Sequence, residues 1–190
     1  MGRWQPGAPD RLRRAALDLF GEQGFDATSV AQITERAGVT ERTFFRHYAD
    51  KREVLFTGDE FQEPFLRAAA AAPAGTPVLD VVAAVLEAAC AAFEAGRTRH
   101  DARARQRIID AHAGLREREL LKLTHLADAL TAALGERGTA ALPARLAADL
   151  AVSVFVTAFG AWIAEGEERD LVHLQREALA EVRALVTGTR

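Results

Sequence analysis

Several kinds of residue that would declare a chemistry at once are scarce or missing in this chain. Its single cysteine, Cys90, can form no internal disulfide, and within "VLEAACAAFEAG" it reads as a small buried apolar residue. No run approaches the roughly 20 uninterrupted apolar residues that a membrane helix needs. The N-terminal "MGRWQPGAPDRLRR" lacks the apolar centre of a signal peptide, so a cytoplasmic protein with no membrane partner is expected. Lysine is almost absent: of 24 basic residues only Lys51 and Lys122 are lysines, and the accompanying excess of arginine and alanine reads as genome bias. There is no glycine-rich phosphate loop, no G-x-S-x-G and no H-E-x-x-H, so the chain is not expected to be an enzyme. The five histidines (His47, His100, His112, His125 and His173) are too scattered for a local metal site. Neither a metal nor a cofactor is expected. Alternating strand patterns, internal repeats and low-complexity tails are missing as well.

What is present is helical periodicity from end to end. With 190 residues, about half of them apolar, the chain can bury one sizeable core or a small domain joined to a larger one. Leu12, Ala16, Leu19 and Phe20 recur at i, i+4, i+7 and i+8, one face of a first helix, and Gly24 stands where a left-handed C-terminal cap is wanted. Ser29 and Gln32 form a capping box for a short second helix whose inner face is Val30, Ile33 and Ala37. Gly38 closes that helix, and Thr40 caps a third. Asp50 and Glu53 suggest another capping box, opening a fourth helix from about Lys51 towards Ala72 with Pro64 kinking or interrupting it. "AAPAGTP", at 71–77, is the clearest break. Beyond it helical patterns run at roughly 77–95, 98–113, 115–135, 143–165 and 169–187. The expected class is all-α with about nine helices.

Charge divides unevenly. Residues 1–56 carry nine basic and eight acidic side chains, net +1, whereas residues 57–190 carry fifteen and nineteen, net −4. An acidic whole does not exclude a nucleic-acid partner, because the local patch sets the field at a phosphate. It does argue against a broad, nonspecific coat on DNA.

Two short helices joined by "AGV" are the signature of a helix-turn-helix, whose second helix lies against DNA. Val30, Ile33, Val39, Phe44 and Tyr48 would pin the pair to the rest of the fold. Such a motif inserts the N-terminal part of its second helix into the major groove. Glu41, Arg42 and Thr43 occupy that turn, with a guanine-matching fork on Arg42 and a methyl and hydroxyl on Thr43. Lys51, Thr28 and Ser29 suit phosphates near helix N-termini. The competing reading is two packed helices with Phe44 and Tyr48 in a core and Arg42 and Arg46 merely solvated. Composition alone leaves both open.

The segment "ATSVAQITERAGVTERTFFRHYADKREVL" resembles the DNA-binding domain of the tetracycline-repressor (TetR) family of bacterial transcriptional regulators. Val30 and Ile33 fill the second helix's apolar slots, Ala37-Gly38-Val39 the turn. Thr40, Thr43, Phe44, Phe45, His47, Tyr48, Lys51 and Leu55 follow in register. The close match covers about residues 10–56. Phe45 stands where the family usually has a phosphate-binding tyrosine, Tyr48 where phenylalanine is usual, and Arg42 where a small residue or proline is common. The resemblance implies a three-helix DNA-binding domain over 1–52 and a larger helical domain over 53–190 that binds a small molecule and dimerises. It implies DNA contacts at Thr28, Ser29, Thr40, Glu41, Arg42, Thr43, Phe45, His47 and Lys51. The partners would be double-stranded operator DNA, a small-molecule effector, and a second copy meeting through the last two helices, about 143–187. The family default is a repressor released by its ligand. The alternative is a helical small-molecule-binding or scaffold protein with no specific operator.

Within the larger region, the alanines and Gly160 along "LPARLAADLAVSVFVTAFGAWIAE" permit close helix approach. A stripe of Leu171, Ala178 and Leu185 with Leu174, Val182 and Val186 suits a helix bundle. A pocket would draw its walls from Phe61, Phe65, Leu86, Phe93, Ile108 and Trp162, and its polar groups from Arg107, His112 and His125.

Overall fold

A computed structural model describes residues 7–56 and 61–188 of the chain. Among these, nine α-helices and one 3₁₀ turn occur, with no strand. Helix α1 is Ala8–Gln23, α2 Val30–Ala37 and α3 Glu41–His47; a 3₁₀ turn at Glu53–Leu55 follows. Helix α4 is Glu63–Ala71, α5 Val78–Gly96, α6 Arg99–Ala111, α7 Ala113–Glu136, α8 Ala141–Trp162 and α9 Leu171–Thr187.

The local signals explain most of these limits. The Ser29 side chain accepts from Gln32 N while Gln32 Oε1 accepts from Ser29 N at 2.8 Å, a complete capping box. Gly38 takes φ 65° and ψ 41°, the left-handed region, and Val39 N reaches back to Thr34 O at 3.0 Å. A side chain at Gly38 would be strained in this conformation, which is what the sharp turn into α3 demands. Thr40 caps α3 by accepting from Thr43 N. Gly24 ends α1 differently from expectation: φ is positive at 88°, but ψ is 158°, so the chain leaves extended rather than through a left-handed cap.

The expected fourth helix needs correcting. Residues 51–52 form a turn, and α4 starts only at Glu63. Pro64 then lies in the first turn of the helix, where the amide it lacks would have had no partner, so it neither kinks nor interrupts. Asp50 does cap, but it caps the 3₁₀ turn: its Oδ1 accepts from Arg52 N at 2.7 Å and from Glu53 N at 3.2 Å. The Arg52 guanidinium, paired with the Asp50 carboxylate, holds that carboxyl below its ordinary range.

The chain divides into two compact units. One draws on residues 1–57 and 104–119, the other on 58–103 and 120–190. In the first unit α1 packs on α2 and α3. Leu12, Ala16, Ile33 and Phe44 are fully buried, and Ile109 of α6 and Leu115 of α7 join the same core at 1% exposure. The second unit is built around α5, which packs against α4, α8 and α9. Ala144, Ala147, Ala148, Ala151 and Ala158 of α8 are buried, and their small side chains let neighbouring helices approach closely. Cys90 is buried in this core, and burial pushes its thiol up to about 12. Helix α8 is long and apolar enough to cross a membrane by length and composition, but eight of its residues, Ala144 through Trp162, are spent on the core.

Candidate functional site

In the first unit α3 is anchored from behind and open in front. Phe44 is 0% exposed and meets Phe45 edge-on at 5.4 Å; Tyr48 packs at 5.4 Å on the other side, its hydroxyl donating to Pro9 O at 3.4 Å. Glu41, Arg42, Arg46 and His47 are exposed, Thr43 is half-buried, and Phe45 keeps 55% of its surface in solvent. A large ring left that open costs hydrophobic free energy unless another surface covers it. Arg36 of α2 pairs with Glu22 of α1 through two 2.8 Å bonds, which squares α2 against its brace. That guanidinium lowers the Glu22 carboxyl below its ordinary range.

The expected DNA-facing residues are not all alike. Ser29 and Thr40 lie at exposed helix starts, their hydroxyls engaged in capping. Thr28 is 2% exposed, and its hydroxyl donates inward to Gly24 O at 2.8 Å. Lys51 is turned to the same loop: its ammonium donates to Phe25 O at 2.8 Å, Thr28 O at 2.9 Å and Asp26 O at 3.2 Å, and sits 4.5 Å from the Phe25 ring centre. Three donors thus meet three carbonyls. Thr28 and Lys51 stitch the α1–α2 connection to the turn after α3.

One polar constellation has no counterpart in the sequence reading. Arg105 of α6 is 8% exposed; its Nε donates to Leu55 O at 2.6 Å, and Nη1 and Nη2 donate to Glu119 of α7 at 3.3 and 2.7 Å. Its guanidinium also lies 5.3 Å from the Phe56 ring centre, and Arg118 pairs with Glu53 beside it. The 3₁₀ turn after α3 is therefore held by α6 and α7, not by a continuous fourth helix. A weak signal existed: Ala102, Arg105 and Ile109 follow helical spacing, placing an arginine on an apolar stripe.

The expected pocket residues separate. Arg107, Ile108 and His112 belong to the first unit, where His112 Nδ1 bonds Ile108 O at 2.8 Å and its ring lies 5.1 Å from that of Phe25. Phe61, Phe65, Leu86, Phe93 and Trp162 belong to the second unit, and all but the partly buried Phe93 lie in its core. His125 is exposed on α7. In the second unit Phe155 is a hub, touching Phe61, Phe65 and Phe93 with centroid distances of 5.7, 5.3 and 6.1 Å. A separate apolar void lined by Val82, Val85, Leu130, Leu134, Ala147, Ala148 and Ala151 has about 10 Å³ of free volume, room for no more than one water.

Residues 12–56, α1 to the 3₁₀ turn, match the family described as bacterial regulatory proteins, tetR family. Over those residues the chain is similar to regulators of the tetR family. The HTH-type transcriptional regulator TcmR of Streptomyces glaucescens is 44% identical over 80 residues, 42% of this chain and 35% of TcmR. The match therefore spans about a third of that tetR relative's length. Among solved structures, SmeT in complex with triclosan superposes with a TM-score of 0.64 at 23% identity, covering 94% of this chain and 90% of SmeT. FadR of Bacillus subtilis in complex with stearoyl-CoA gives 0.61 at 21%, covering 95% and 99%. At these identities the two structures establish a shared fold along nearly the whole chain.

Proposed function

We propose that the protein is a sequence-specific DNA-binding transcriptional regulator, a repressor that a small, largely apolar effector releases from its operator. The observation that carries this reading is the open face of α3: Glu41, Arg42, Phe45, Arg46 and His47 are exposed on a helix whose opposite side is locked by Phe44. Glu41, Arg42 and Thr43 stand on the turn that a helix-turn-helix pushes into the major groove. Phe45, without a hydroxyl, packs on a sugar or a thymine methyl.

Two copies are needed to span half-sites about 34 Å apart. Leu142 and Leu146 of α8 and Leu185 and Val186 of α9 support a homodimer through these helices, since they are 60–81% exposed and apolar. Effector binding then favours a dimer whose recognition helices are wrongly spaced, and its differential affinity sets the response.

A gel-shift against DNA flanking the protein's own coding region tests the reading. Specific, salt-sensitive binding that Arg42→Ala or Thr43→Ala weakens is expected, by roughly tenfold for a base contact worth about 1–3 kcal/mol. Nonspecific binding alone, at micromolar or weaker affinity on every fragment, sinks it. Sedimentation should give a dimer that Leu146→Asp converts to monomer.

A further inference from the structure

Trp162 closes α8 at 3% exposure, and its indole Nε1 is buried with no hydrogen-bond partner. Folded proteins rarely leave a buried N–H unmade, and the exceptions invite a functional account. The walls of this one are aromatic and cationic. Phe93 stands edge-on at 6.0 Å and 83°, Phe159 lies at 6.1 Å, and the Arg99 guanidinium is 5.3 Å from the indole ring centre. Arg99 itself is fixed, donating to the carbonyls of Glu167 and Arg169 in the α8–α9 connection. Arg103 holds the same connection through Ile163 O at 2.6 Å and Ala164 O at 2.7 Å.

We infer that Trp162 Nε1 is the polar anchor of the effector site in the second unit, and that the effector is a flat aromatic molecule carrying an accepting oxygen. The inference rests on the effector half of the proposed function. The chemistry of the cluster selects the class. Phe93 already meets Phe155, Phe159 and Trp162 edge-on, at interplanar angles of 72–83°, so another ring in this cluster inherits favourable edge-to-face contacts. Phe93 and Phe159 are only partly buried, unlike Phe155 and Trp162, and they are the rings a guest would meet first. An oxygen on that guest then completes the indole N–H. A purely aliphatic guest leaves the donor unmet.

Naphthalene and methyl naphthyl ketone, equal in ring system and differing by a carbonyl, provide the test on the full chain. By NMR, the ketone should move the indole N–H resonance of Trp162 downfield while naphthalene leaves it nearly in place; the resonance of Trp4 serves as the internal reference. The ketone should bind roughly three- to tenfold more tightly than naphthalene, the range for one net hydrogen bond. Trp162→Phe should bring that ratio close to one and still bind naphthalene. The NMR readout on the unsubstituted protein stands even if the variant folds poorly. Binding of both probes with no shift and no change of ratio overturns the role of Trp162 and leaves the effector reading intact. Binding of neither probe overturns both, while the DNA reading is judged separately by its gel-shift.

Discussion

The two units are held by different kinds of contact. In the first, directional polar groups tie segments together: the buried Arg105 forks onto Glu119 and Leu55 O, Lys51 spends three donors on three carbonyls, and Tyr48 reaches Pro9 O nearer the surface. In the second, the interior is rings, alanines, valines and leucines with Gln175 buried beside them, and arginines brace the edges, as when Arg137 holds Ala72 O at 2.7 Å and Pro73 O at 2.8 Å. Directional bonds specify one arrangement and fail if one partner is lost. Apolar packing is more forgiving, since hydrophobic swaps of similar volume are tolerated.

The largest expected effect is on the buried pair. Arg105→Met takes the buried guanidinium away from Glu119 and the Leu55 carbonyl, and urea denaturation should show a loss of about 3–5 kcal/mol. Adding Glu119→Leu should recover most of it, because both charges are then gone. Lys51→Met removes three charge-assisted bonds from the α1–α2 connection and should cost about 1–3 kcal/mol, visible as a lower melting temperature without DNA. Were stability unchanged and only operator affinity lost, the inward role of Lys51 would be wrong. On the other side of the comparison, Phe65→Leu in the second unit should cost under about 1.5 kcal/mol despite 2% exposure, by the same denaturation assay. A loss as large as that of Arg105→Met would erase the distinction between the units. Ser29→Ala, which breaks the capping box of α2, should cost about 1 kcal/mol.

The smallest effect is a pH dependence. Asp50 has its carboxyl depressed, first by its bond to the Arg52 side chain and then by the amides of Arg52 and Glu53. A carboxylate lowered in the fold adds stability above its unfolded value, and that stability is lost as pH falls through the folded one. Melting temperature measured downward from about pH 4 should therefore fall less steeply in Asp50→Asn than in the parent.

The caps were readable because they depend on neighbours three or four residues away. Ser29–Gln32, Gly38 and Thr40 each carry their own instruction, and the structure places all three where spacing put them. Pro64 was misjudged for the same local reason: a proline within a helical pattern and one that begins a helix differ only in where the helix starts. Lys51 was assigned to a phosphate from its place near an expected helix start, and the carbonyls its ammonium meets lie 23 to 26 residues earlier, beyond any local pattern. Arg107, Ile108 and His112 were grouped with Phe61 and Trp162 because periodicity marks which face of a helix is buried, not which core it enters. Arg105 and Glu119 hid in a segment dense with charge, where a buried pair and a solvated face look alike.

The chain passes between the two units three times, after residues 57, 103 and 119. Modularity is therefore less simple than the linear order suggests. A hybrid that takes only the first 56 residues leaves behind Ile109, Leu115 and Arg105, and with them part of the first unit's core and the bond that holds Leu55 O. Moving the first unit whole requires that the segment 104–119 travel with it, or that the recipient already supply its equivalent.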